Sequence, residues 1–418
     1  MARSPASRQV IRRRRTFVGV VGALLLALVA FLAFAPDTGA PSSALAGDRG
    51  TDPPSGPTTQ PRTTAPVQAP PAYLAWMSGG FPSDFRARVR TLDGVARSVV
   101  VAGDTRWMTE SHDDAGAVVD HPKPPFAIPI DAFSVNPLEY RPFLPGELSG
   151  PIVAALNKGE AVLGQRSAAL RGIGAGGSMT FIDGQTVKVG YVAPDEVVGW
   201  SEMLVSRDVG DQLGISDDRY LLAQMTGRPN DQAFEATIDS LLPAGTLLRV
   251  AAPHETQFVR VASGVDPPIV MKEVFGEFSA YPHPDDPAQL TTDPGWFHAH
   301  IETRNVPLLG NVTCNEVLFP MLIAALNDVQ NAGLSSLIHT DSGCYASRTV
   351  ARSPTAPPSQ HAYGAAVDIN APENPYGSTP TMDARIVQIF EDHGFIWGGK
   401  FLIPDGMHFE YGTPVPPA

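Results

Sequence analysis

SQHAYGAAVD, residues 359–368, carries the local pattern on which the C-terminal part of the chain is built. It sets His361 and Asp368 seven apart around Gly364, and a second short run, DGMHFE at 405–410, supplies His408. Two imidazoles and one carboxylate make a zinc set with one coordination position open, as catalytic rather than structural zinc is held. With neutral imidazoles the occupied site keeps a net positive charge, which favours acidifying a bound water.

An odd spacing of seven puts two side chains on opposite faces of a single strand. Gly364 is therefore expected to turn the chain, with His361 coming from a loop and Asp368 from a strand over 365–369. Asp368 sits in the apolar run AAVDIN, where an unpaired charge is costly and a metal or an arginine has to partner it. His408 falls on a final strand over 407–411, where it shares a face with Glu410 while Met407 and Phe409 point the other way. Asp405 belongs to a Pro-Asp-Gly turn triplet, which by itself explains it. Amide hydrolysis, however, needs a carboxylate to take a proton from water and hand it to the leaving amine, and Asp405 is the candidate base. Arg348, at the end of SGCYASR (342–348), is either a surface arginine or the positive group such a reaction needs. In the second role it is an oxyanion donor or a two-pronged grip on a substrate carboxylate.

In order, SGCYASR, SQHAYGAAVD, WGG (397–399) and DGMHFE resemble the LAS zinc peptidases, the D-alanyl-D-alanine carboxypeptidases and L-alanyl-D-glutamate endopeptidases of bacterial wall peptides. The likeness covers about 110 to 150 C-terminal residues and is greatest to the branch with phage endolysins and bacterial wall hydrolases. It implies one Zn²⁺ held by His361, Asp368 and His408, with Asp405 as general base. Arg348 would steady the oxyanion or orient substrate, and Ser359 would support the histidine turn. The fold it implies is α+β, a small antiparallel sheet flanked by helices as in the LAS and hedgehog-type peptidases. Three departures concern substrate choice more than metal binding. Lys400-Phe401 follows the paired glycines where many members have tryptophan, the base is Asp where other branches carry Glu, and a cysteine interrupts the arginine motif.

Outward from these motifs, a peptidase domain is expected over 271–418. Thr313-Cys314-Asn315-Glu316 has the form of a capping box opening a helix with Leu318, Leu322, Ala325, Leu326 and Val329 inward and Gly333 at its end. Pro320 is tolerable only in that helix's first turns. A second helix is expected over 382–393, with Ile386, Ile389 and Phe390 inward, and a strand over 395–397. WFHAHI (296–301) alternates like a strand with His298 and His300 towards solvent. A separate α+β domain of unassigned role precedes, over 73–264. It has a strand at 95–111, a helix near 167–171, strands at 178–182 and 186–192 around an Asp183-Gly184 turn, a helix at 231–242, and strands at 247–252 and 258–262. Its segment 159–206 resembles the extracytoplasmic core domain of ABC-type permeases, which implies a binding or positioning module.

The N-terminal end reads as targeting. Residues 17–35 are apolar or small and uncharged, just long enough to span a bilayer, and arginines precede them. That pattern places the bulk of the chain outside, through a signal anchor over 1–35 or, since Ala33-Phe34-Ala35 fits a cleavage pattern, as a secreted product. Residues 36–72, rich in Pro and Thr, are expected to be a disordered linker. Six arginines and no acid lie in the first 35 residues, so the remainder carries −19 against −13 for the whole chain. An acidic exported part argues against nucleic acid or anionic lipid as the main partner, and the resemblance to the LAS peptidases implies peptidoglycan peptides as the partner. Export also makes a disulfide between the two cysteines, Cys314 and Cys344, the expected pairing. The function expected is D-Ala-D-Ala carboxypeptidase-like hydrolysis of stem peptides. The alternatives are an L-Ala-D-Glu-type endopeptidase or a non-catalytic zinc-containing wall-binding module.

Overall fold

Eighteen consecutive residues of one strand, Val95–His112, organise the N-terminal half. The computed structural model describes residues 69–77, 79–227, 230–253, 266–340 and 343–412. The expected anchor at 17–35, the linker up to residue 68 and the strand at 258–262 lie outside the described residues. Among the described residues no helix is long and apolar enough to cross a membrane.

The strands of the N-terminal half are β1 (Tyr73–Met77), β2 (Val95–His112), β3 (Ile128–Val135), β4 (Ala161–Gly164), β5 (Ser178–Phe181), β6 (Thr186–Ala193), β7 (Met203–Ser206), β8 (Asp218–Met225) and β9 (Leu248–Ala251). They form one sheet in the order β3-β7-β4-β6-β5-β2-β8-β1-β9, and β3 also pairs with β2. That extra pairing lets six strands close on themselves, which removes two edges that would otherwise be open to association. The long β2 makes this possible: it pairs with β8 near Val99, with β3 near Asp104 and with β5 near Ser111. Met108, Ile130, Leu163, Met179, Val189 and Met203 fill the interior. The hairpin of β5 and β6 turns at Gly184, whose φ of 81° suits glycine. The helix expected near 167–171 runs from Gln165 to Arg171, and that expected at 231–242 from Asp231 to Asp239.

The C-terminal half begins with a helix, Pro268–Phe275. Two hairpins follow, β10 (Ala280–His283) with β11 (Asp286–Thr292), and β12 (Ile301–Val306) with β13 (Gly310–Asn315). The last sheet contains β14 (Ala366–Asp368), β15 (Phe395–Trp397) and β16 (His408–Tyr411), antiparallel in the order β14-β16-β15. The helix Ala384–Asp392 packs Ile386, Val387 and Phe390 inward, and the helix Phe319–Asn331 buries Leu322, Ala325, Leu326 and Val329. The fold is thus α+β, with a small antiparallel sheet flanked by helices after a larger β-rich portion.

Two local expectations are corrected. Thr313 lies in β13, cross-strand from Thr303 with their hydroxyls 2.8 Å apart, and the helix starts only at Phe319. Thr and Val in NVTCN favour the strand, and Pro320 then occupies the first helical turn, where its missing N–H costs nothing. Residues 294–300 are helical instead of extended. Asp293 caps that helix by accepting from Trp296 N at 3.0 Å, and Pro294 fits its first turn, so capping outweighs the apparent alternation of WFHAH.

The halves meet through charge as well as apolar packing. Trp107 and Ala127 join the C-terminal core built around Phe275, Phe278, Leu322, Phe390 and Phe409. Beside it lies a buried neutral quartet. Arg171 reaches Glu202 at 2.7 Å and Glu277 at 2.7 Å, while Lys272 reaches the same two carboxylates at 2.6 and 2.9 Å. Burial alone pushes the Glu277 carboxyl up, but Lys272 and Arg171 outweigh it and hold it below its ordinary range. The Cys314–Cys344 disulfide is formed, with Cα atoms 5.4 Å apart. Removing one member of a buried charge set leaves another uncompensated. Lys272→Met is therefore expected to lower unfolding free energy by about 3–5 kcal/mol in denaturant titration. A change below about 1 kcal/mol, the scale of a surface pair, would show that the quartet is solvated.

Candidate metal centre

His361 reaches the site from a single turn of 3₁₀ helix, Gln360–Tyr363. Ser359 caps this turn, its hydroxyl accepting from His361 N at 3.3 Å. Gly364 ends it with φ 66°. A β-carbon at Gly364 would lie 2.5 Å from Asn315 N, so both the left-handed backbone and the close approach demand glycine. The chain then enters β14, which delivers Asp368 at its end. Asp368 and His408 are direct cross-strand partners on β14 and β16. Two adjacent strands and one turn thus bring all three side chains to one point, as the spacing around Gly364 requires.

The geometry is that of a ligand set. His361 Nε2 lies 3.1 Å from His408 Nδ1 and 3.3 Å from Asp368 Oδ1, and His408 Nδ1 lies 3.1 Å from Asp368 Oδ1. A tetrahedral zinc with nitrogen and oxygen ligands has ligand–ligand edges of about 3.3–3.4 Å, so three corners of such a tetrahedron are nearly in place. The far side of each imidazole is tied down. His361 Nδ1 donates to the Cys344 carbonyl at 2.7 Å, and His408 Nε2 donates to Glu410 Oε2 at 2.9 Å. These bonds fix the tautomers and leave His361 Nε2 and His408 Nδ1 as the metal-facing nitrogens. The residues fit a divalent metal, and His361, Asp368 and His408 form a site able to hold one.

Without a cation, protons do the same electrostatic work. Burial pushes the Asp368 carboxyl up, yet hydrogen bonds from His361 and His408 hold it well below the carboxylate range. Burial pulls His408 down, while Asp368 and Glu410 raise it to about 10. A metal entering this pocket would displace those protons.

Asp405 is tied to the same site through its backbone. Its backbone N–H donates to Gly398 O at 2.9 Å and its carbonyl accepts from His408 N at 3.2 Å. Its Oδ1 is buried with no hydrogen-bond partner among the described residues. Burial raises the Asp405 carboxyl; His408, His361 and Arg348 oppose that rise and Asp368 adds to it, so all four are within electrostatic reach. Arg348 is half-buried; its Nη1 donates to Thr349 O at 3.3 Å, and it senses both Asp368 and Asp405. Its pKa falls chiefly through burial. His298 and His300 lie on the helix 294–300 and take no part in this ligand set.

Glu410 and the Cys344 carbonyl were missed as supports for the imidazoles. The signal for Glu410 was present, since residues two apart on a strand share a face. The reason for WGG also appears only in three dimensions. A β-carbon at Gly398 would come 2.7 Å from Asp405 O and 3.1 Å from both Asp405 Cβ and His408 Cβ. Losing the outer partner of a ligating histidine typically costs 10–100-fold in metal affinity, so Glu410→Ala is expected to weaken zinc by about that factor in a chelator competition. Unchanged affinity would mean that Glu410 does not set the tautomer of His408.

No curated protein matches the chain. Among solved structures, the periplasmic region of MacB from Actinobacillus actinomycetemcomitans is similar at 8% identity and a TM-score of 0.31, over 44% of this chain and 89% of that one. The extracellular domain of YknZ, a noncanonic ABC-type transporter from Gram-positive bacteria, is similar at 15% identity and a TM-score of 0.28, over 43% of this chain and 98% of that one. The C-terminal region, residues 352–411, which carries both histidine motifs, matches the family model described as D-alanyl-D-alanine carboxypeptidase, the family expected there.

Proposed function

We propose that the chain is a zinc-dependent peptidase that hydrolyses peptidoglycan stem peptides in the manner of a D-alanyl-D-alanine carboxypeptidase. One observation carries this reading: the orphaned, buried Asp405 Oδ1 stands beside a three-donor metal set. A binding module would have no need of a partly buried carboxylate with one oxygen left without a hydrogen bond near the donor set, because that arrangement costs stability. A hydrolase does, since the base must be free to accept a proton. The family match over 352–411 supports the same reading.

Zinc held by His361 Nε2, His408 Nδ1 and Asp368 would supply Lewis-acid polarisation and an acidified water. The protein's own groups do the rest. Asp405 takes the proton of the attacking water at Oδ1 and returns it to the leaving amine. Arg348 offers its guanidinium to the carbonyl oxygen as negative charge develops there. Cys344 O and Glu410 keep the imidazoles from rotating as charge moves. The apolar run 17–35 with its preceding arginines supports an exported protein tethered by its N-terminus, with the Pro/Thr-rich segment giving reach into the wall.

Incubating the purified protein with defined muropeptides and weighing the products tests this directly. Loss of a terminal D-alanine, abolished by a chelator and restored by zinc, is the expected result. A cut inside the stem would point to the endopeptidase arm of the family. No product from zinc-loaded protein would leave a wall-binding module. Asp405→Asn is expected to lower kcat by roughly 10²–10⁴-fold while zinc content stays at the wild-type level. Unchanged cleavage by that variant would remove Asp405 as the base.

A further inference from the structure

Between Arg348 and Ser359 the chain leaves the peptidase half and touches the other one. Ser359 N donates to Arg348 O at 2.9 Å, Val350 N donates to Pro357 O at 2.9 Å, and Thr349 bridges to Pro358. Arg348 and the cap of the His361 turn therefore stand side by side at the base of one excursion, residues 350–357. The near end of that excursion is held in an unfavourable backbone: Ala351 and Arg352 have φ of 50° and 53°. Side chains other than glycine rarely sit there, and such conformations persist only where the surroundings over-determine them.

Two surfaces hold the excursion: β11 holds its base, with Leu290 N donating to Ser347 O at 2.9 Å, Thr349 N donating to Ala288 O at 2.9 Å and Gln289 bridged to Arg348, while the nine-stranded sheet holds its far end. Thr355, at the far end of the excursion, is gripped three ways. Its carbonyl accepts from Thr105 N on β2 at 2.8 Å and from Arg219 Nη2 on β8 at 3.3 Å. Its hydroxyl donates to Asp217 Oδ2 at 2.8 Å. The grip is itself braced. Arg219 pairs with Asp217 at 3.5 Å and with the buried Asp104 at 3.3 Å, and Asp104 accepts from Ser216 N at 2.7 Å. At the other end of the excursion, the Arg348 guanidinium donates to Thr349 O.

We propose that Asp217, Arg219 and Thr105 form a clamp on Thr355, so that the nine-stranded sheet, together with β11, sets where the Arg348 guanidinium lies within electrostatic reach of Asp368 and Asp405. This gives the N-terminal half a role in the chemistry of the C-terminal one. Thr355 and Asp217 are positioning residues, since they act only through Arg348. The inference rests on the proposed function for Arg348's part in hydrolysis, but the placement of that side chain does not.

The test uses the full chain labelled with ¹⁵N-arginine. The Nε–H resonance of Arg348 is assigned by its disappearance in Arg348→Lys. Thr355→Val keeps the side-chain shape and removes the hydroxyl, and Asp217→Asn weakens the same bond from the other side. Both are expected to shift or broaden the Arg348 resonance, while Thr355→Ser keeps the wild-type spectrum. With a stem peptide as substrate, Thr355→Val should lower kcat/KM by roughly 10- to 100-fold, the scale of a small misplacement near reacting atoms. In an Arg348→Ala background the same change should have an effect within about twofold, because neighbours acting through one group are not additive. An Arg348 resonance that stays put in both Thr355→Val and Asp217→Asn overturns the clamp. So do losses that multiply in the double variant, which would point to a general structural role. If the resonance moves but the wild-type protein cuts no stem peptide, the clamp stands and the proposed function falls.

Discussion

Three acceptor atoms, His361 Nε2, His408 Nδ1 and Asp368 Oδ1, lie 3.1–3.3 Å from one another, with the two imidazoles buried. Lone pairs this close repel unless positive charge lies between them, whether protons or a metal ion. Much of the C-terminal half can be read as the apparatus that maintains this convergence. Gly364 admits the turn, β14 and β16 set Asp368 opposite His408, and Cys344 O and Glu410 fix which nitrogen each ring presents. The disulfide serves the same end. Cys344 supplies the carbonyl under His361, and Cys314 packs against Gly364 at the other end of the turn.

That apparatus reaches beyond the peptidase motifs. Tyr363, two residues after His361, is fully buried, and its phenol feels Glu202, Glu277 and Arg171 of the quartet between the halves. Burial first, and then those carboxylates, raise its pKa and keep the phenol neutral. A quartet of two acids and two bases, each meeting both opposite charges, joins the halves, with Arg171 and Glu202 from the first and Lys272 and Glu277 from the second. The metal centre thus sits on a foundation to which both halves contribute.

How much of this was legible in the sequence depended on range. Local chemistry read well: Gly364 announced a turn, the alternation of MHFE gave His408 and Glu410 one face, and Phe395–Trp397 was a strand as expected. Competition between local signals read poorly. T-x-x-E at 313–316 has the form of a cap, but the β-propensity of NVTC and pairing with β12 take Thr313 into a hairpin. WFHAH alternates like a strand, yet Asp293 and Pro294 start a helix through it. Contacts that join distant segments left no trace in either motif. Glu202 and Lys272 lie 70 residues apart and Thr355 and Asp217 lie 138 apart, and nothing near either residue in sequence names its partner.

The central claim is that those three atoms, with His361 presenting Nε2 and His408 presenting Nδ1, hold one zinc ion. Anomalous diffraction from crystals of the zinc-loaded protein, collected on both sides of the zinc edge, tests it most directly. A single strong peak per chain is expected, about 2.0–2.2 Å from each of the three atoms and with no fourth protein ligand. Zinc bound elsewhere, or bound through His408 Nε2 together with Glu410, would contradict it.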